Sequence, residues 1–117
     1  MLSIRTWTTQ IFRQGDVLLV PCEDIPPGAS EETPEDGRVV LAHGEVTGHA
    51  HVMRADRVCY FRDDGTGSGG AYLRVGGKEP VALTHEEHYP LAIPPGNYRV
   101  VQQREYQPRA LPRFVRD

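Results

Sequence analysis

Asp16-Val-Leu-Leu-Val-Pro-Cys22, closed by Ile25-Pro-Pro-Gly28, is the stretch that decides the class of fold. It is apolar, too short for three helical turns, and stopped by prolines and a glycine. A continuous apolar run of this length reads as a strand buried on both faces. The rhythm recurs in Arg38-Val-Val-Leu-Ala-His43, halted by Gly44, then in Arg57-Val-Cys-Tyr-Phe-Arg62 and Ala71-Tyr-Leu-Arg-Val75. It continues through Pro80-Val-Ala-Leu-Thr84 and Tyr89-Pro-Leu-Ala-Ile93, which ends at the turn Pro94-Pro-Gly96. The segment from Asn97 to Tyr106 reads as the longest strand, with Tyr98, Val100 and Gln102 opposed to Arg99, Val101 and Gln103. Twelve glycines and ten prolines supply the turns that so many short strands require.

This pattern predicts an all-β chain of about eight short strands, either a single small barrel or a two-sheet sandwich. Closure into a barrel is the favoured form, because an open sheet leaves edge strands unpaired. His49-Ala-His-Val-Met-Arg54 is expected to form a hairpin with Arg57–Arg62 through Ala55-Asp56. Ala71–Val75 is expected to turn at Gly76-Gly77 into Pro80–Thr84. A length of 117 residues suits one domain, 1–117, ending in an irregular Arg-rich tail over 107–117. Leu111, Phe114 and Val115 of that tail can dock onto a neighbour. Tyr60, Phe61, Tyr72 and Tyr98 are expected to pack in the core or on a sheet face.

The net charge of -3 argues against nucleic-acid binding by the whole surface. Six acidic residues and no basic one lie between Glu23 and Asp36, whereas five arginines follow from Arg99 onward. These opposite charges are a solvated loop and tail, or a pair that meets within or between subunits. Arg104, Arg109, Arg113 and Arg116 leave a minor opening for nucleic acid or an acidic partner. Cys22 and Cys59 are too far apart for a zinc ribbon or redox dithiol and read as buried free thiols. With no apolar leader between Met1 and Phe12, the expected location is cytoplasmic, with no membrane partner. The loop Gly65-Thr-Gly-Ser-Gly-Gly70 lacks the lysine and helix of a phosphate loop.

All five histidines fall within two segments, His43–His51 and His85–His88. His49 and His51 stand two apart, so on one strand they share a face and can address one ion. His85 and His88 cannot share a face on a regular strand but converge in a tight turn. His43 stands across the Gly44–Gly48 turn from His49, where it can also reach inward. The candidate metal ligands are therefore His43, His49, His51, His85 and His88. Glu45, Glu86 and Glu87 offer carboxylates as general base, fourth ligand or ring-orienting partner. A nitrogen-rich set suits a divalent ion such as zinc, iron, nickel, copper or manganese. A metal site is the favoured reading, with a polar surface and then a metal-free polar or catalytic cleft as the alternatives.

Gly44, His49, His51 and Asp56 resemble the first motif of the cupins, a glycine followed by His-x-His and then a carboxylate. Pro94-Pro-Gly96 resembles the turn of the second cupin motif, with Arg99 where that family carries a ligand histidine. The resemblance implies a small barrel with a metal in its mouth, and an oxygenase, isomerase or binding activity. The place of the second-motif ligand then falls to His85, His88 or His43.

Three functions remain open. One is a metal-dependent enzyme acting on a small-molecule substrate. Another is a non-catalytic module that binds a metal, a ligand or a partner. The third is an assembly protein, a homo-oligomer with the Arg-rich tail at its subunit interface.

Overall fold

A computed structural model of the chain describes residues 10–43, 48–63 and 70–103. Ten strands follow one another among the described residues. They are β1 (Phe12–Gln14), β2 (Val17–Cys22), β3 (Ser30–Glu31), β4 (Arg38–His43), β5 (Ala50–Arg54), β6 (Val58–Arg62), β7 (Ala71–Val75), β8 (Val81–His85), β9 (His88–Ile93) and β10 (Gly96–Gln102). They form a six-stranded sheet in the order β1-β2-β10-β7-β6-β3 and a four-stranded sheet in the order β4-β5-β8-β9. Every pairing is antiparallel. The all-β class is as expected, and of its two forms the chain takes the sandwich, not the closed barrel.

The barrel preference fails because the strands switch sheets where a hairpin was expected. A single 3-10 turn over Ala55–Arg57 carries the chain from β5 in the smaller sheet to β6 in the larger one. Likewise β7 pairs with β6 and β10, while β8 pairs with β5 and β9. Gly76-Gly77 is thus a crossover, and Arg57 secures it by donating from Nη1 to the carbonyls of Gly76 and Glu79. The edges are managed otherwise: β3 is only two residues long, and β9, which carries Pro90, packs against β1.

The core lies between the sheets. Val17, Leu19, Val58, Tyr60, Leu73, Val75, Tyr98 and Val100 come from the larger sheet; Val39, Leu41, Met53, Leu83 and Ile93 come from the smaller. β2 alternates rather than being buried on both faces: Val17 and Leu19 are sealed, while Leu18 and Val20 are only half-buried. The two faces expected on β10 separate as read at Tyr98 and Val100, which are inward, and at Arg99, which is exposed, whereas Gln102 at the strand end is exposed. Three of the four predicted core aromatics are buried, and Phe61 is half-buried under the Arg74 guanidinium.

Polar groups stitch the two layers. Tyr60 donates its hydroxyl to the Leu41 carbonyl. Buried Gln14, at the end of β1, donates from Nε2 to the carbonyls of Leu83 and Tyr89. Cys22 and Cys59 are free and half-buried rather than sealed. Burial is the main cause raising both thiols, helped by Asp24 beside Cys22 and Glu31 beside Cys59. No described helix is long and apolar enough to cross a membrane. The tail over 107–117, its arginines and apolar residues, and the loop 64–69 lie outside the described residues.

Candidate metal centre

Four histidines gather at one end of the sandwich, delivered by three local devices. Alternation along β5 sends His51 inward beside Met53, leaving it 1% exposed. His49 stands one residue before β5 and is half-buried. β8 and β9 are joined by the two-residue turn Glu86-Glu87, which makes His85 and His88 cross-strand partners. The predicted convergence of that pair in a tight turn is what the chain does. The His85 ring sits centrally, with its centroid 4.3 Å from that of His51, 4.6 Å from His88 and 5.6 Å from His49.

His43 is not part of this group. It ends β4 in register with Ala50, but its side chain is exposed and makes no ring contact with the other histidines among the described residues. Glu45 lies outside the described residues. Asp56, the carboxylate of the cupin-like first motif, is exposed and engages Arg54 at 3.2 Å instead of the histidines. Arg99, at the second-motif position, lies on the exposed face of β10.

The two turn glutamates differ in setting. Glu86 Oε1 accepts from the Ala50 backbone N–H at 3.0 Å. That hydrogen bond is the main cause holding its carboxyl below the usual range, and His49 and His85 reinforce it. A carboxylate so stabilised is a better ligand than base. Glu87 is exposed, with Oε2 3.8 Å from His49 Nδ1. The ligating atoms of His49, His85 and Glu86 all lie within 4.8 Å of one another. Donors around one zinc-sized ion, bound at about 2.1 Å, stand about 3–4 Å apart, so small side-chain movements suffice to close the set.

Sequence reasoning missed two residues, Gln14 and Asp16, which flank Gly15 in the β1–β2 turn. Because both Gln14 amide hydrogens are directed at carbonyls, its Oε1 must face His51 Nδ1, 2.8 Å away. The His51 proton therefore sits on Nδ1, and Nε2 turns its lone pair toward Asp16 Oδ1 at 3.3 Å. Burial chiefly lowers the His51 pKa, with His85 adding to the effect and Asp16 opposing it. Burial alone would raise Asp16, but hydrogen bonds led by Gln102, together with His51, hold it below the usual value. Two electron-rich atoms then face each other, an arrangement that favours a proton or a cation between them. The only sequence signal for this was a polar Gln-Gly-Asp break before an apolar strand.

Gly15 itself is dictated by the site. Its φ of +60° suits the first central position of a hairpin turn, and a Cβ there would stand 2.6 Å from His88 Nε2. The turn bearing Asp16 can therefore lie directly against the histidines.

No curated protein and no solved structure matches the chain. The model of one protein family matches residues 13–103, which take in every described member of the cluster, from Gln14 to His88. With that span covering most of its length, the chain belongs to the family described as Domain of unknown function (DUF8820).

Proposed function

We propose that this protein binds one divalent metal ion at the end of its sandwich, through His49, His85 and Glu86, with His51 and Asp16 adjoining. The observation that carries the reading is the mutual approach of those three ligating groups within 4.8 Å. The facing His51 Nε2 and Asp16 Oδ1 support it, since both offer electron pairs to the same small space. Three protein donors would leave a coordination position for water or substrate, where the ion polarises a carbonyl or activates water. Exposed Glu87, 3.8 Å from His49, is the candidate general base in this reading. The cupin-like motif fits this reading through His49 and His51 alone.

His85 carries a specific consequence. Its Nδ1 accepts the Glu87 backbone N–H at 3.0 Å. Ligation through Nδ1 displaces that bond, and ligation through Nε2 puts a proton on Nδ1 and removes it as well. Loading therefore perturbs the Glu86-Glu87 turn.

The test is titration of chelator-stripped protein with zinc, iron, nickel and manganese salts, followed by calorimetry and elemental analysis. The expected result is about one ion per chain, with His49→Ala and His85→Ala each weakening affinity at least about tenfold. His43→Ala is expected to leave it unchanged. Equal binding by the wild type and a His49→Ala/His85→Ala double variant would sink the proposal, as would binding of none of these metals.

A further inference from the structure

The outward face of the four-stranded sheet carries a groove of about 420 Å³, lined by Ala50, Val52, Val81, Ala82 and Thr84 between two polar ends. At one end stand Arg38 and Arg54, at the other His85 and Glu86. An apolar floor with a few polar groups at its ends, in a volume of this order, is the usual form of a small-molecule site.

The arginine end has its own argument. Arg38 and Arg54 are directly opposite each other in the β4–β5 register. Like charges in that relation repel and favour an anion between them. Arg54 has Asp56 as a partner at 3.2 Å, both largely exposed, whereas Arg38 makes no side-chain hydrogen bond or ion pair among the described residues. The other end is shared with the candidate metal centre, because His85 and Glu86 belong to both. From Ala50, which binds Glu86, to Arg54 is four residues of strand, about 13 Å at about 3.3 Å per residue.

The geometry points to an elongated organic acid as the molecule this groove takes. Its carboxylate sits on Arg38 and Arg54, its apolar body lies over Val52 and Ala82, and its far polar end reaches the metal held by His85 and Glu86. This inference rests on the metal reading for the far end only; the arginine end and the floor stand without it.

Calorimetry on the zinc-loaded full chain tests it with decanedioate, long enough to span the groove, against decanoate and butanedioate. Decanedioate is expected to bind at least tenfold more tightly than either, and Arg38→Ala to weaken it about tenfold with zinc stoichiometry unchanged. Affinity that is independent of chain length, or indifferent to Arg38→Ala and Arg54→Ala together, overturns the proposal. Decanoate on the metal-free protein separates the two readings. Binding that Arg38→Ala removes upholds the groove even where zinc fails to bind, and absence of binding there overturns the groove whatever the metal does.

Discussion

At His51 the backbone pattern and the chemistry meet. Alternation along β5 requires an inward side chain at this position, and an inward histidine needs partners for both ring nitrogens. Gln14 partners Nδ1 from a turn that the sequence places far away, and Asp16 of the same turn faces Nε2, where a proton or a cation completes the pair. Gln14→Ala strips donors from two carbonyls and the acceptor from His51 Nδ1. It is expected to lower stability by about 2–3 kcal/mol, read by urea denaturation at neutral pH. An effect below about 0.5 kcal/mol, the level of an ordinary surface change, contradicts this hydrogen-bond assignment.

The same residue sets a pH response. Its pKa is lowered on folding, so between the folded value and the ordinary value of 6.5 the unfolded chain binds more protons than the native one. Its contribution is complete above pH 6.5 and is lost as pH falls through the folded value. The metal-free protein is therefore expected to melt at lower temperature at pH 5 than at pH 7, and His51→Gln to flatten that slope. A slope unchanged in the variant assigns the response to other groups.

At the scale of elements, two short turns build the site, Gly15-Asp16 between β1 and β2 and Glu86-Glu87 between β8 and β9. They come from different sheets and meet where β1 packs on β9. Gly15→Ala forces a side chain into the left-handed region and against the His88 ring. It is expected to cost about 1–2 kcal/mol and to weaken metal binding, whereas Gly37→Ala, also at positive φ but with open space for its Cβ, is expected to cost stability alone. Paired melting curves and zinc titrations of the two variants read this difference. The misread hairpins also belong to this scale. Short connections between adjacent strands normally signal pairing, but here Ala55–Arg57 and the Gly76-Gly77 region each cross between layers. Nothing in a turn's composition records which sheet the next strand will join.

At the scale of the whole molecule, the metal reading does not make the ion a condition for folding. The core is continuous through both sheets and is built of apolar residues, none of them a candidate ligand. Chelation is expected to lower the melting temperature while the protein stays folded, unlike small domains whose fold depends on their ion. Free metal at about 100 times its dissociation constant corresponds to about 2.7 kcal/mol of added stability. Circular dichroism melts with and without chelator read both quantities, and a chain unfolded by chelation at room temperature would show the ion to be structural.

The sequence by itself determined the class of fold, the alternation of faces along β5 and most of β10, and the meeting of His85 with His88. Each of these depends only on local periodicity or on a two-residue turn, so the information lies within a few neighbouring residues. Tertiary structure alone decided that the strands close as a sandwich, that His43 and Asp56 stand apart from the cluster, and that Gln14 and Asp16 belong to it. These depend on which layer each strand joins and which turns come to lie at the same end. That is settled by burying one common core, and no single segment carries it.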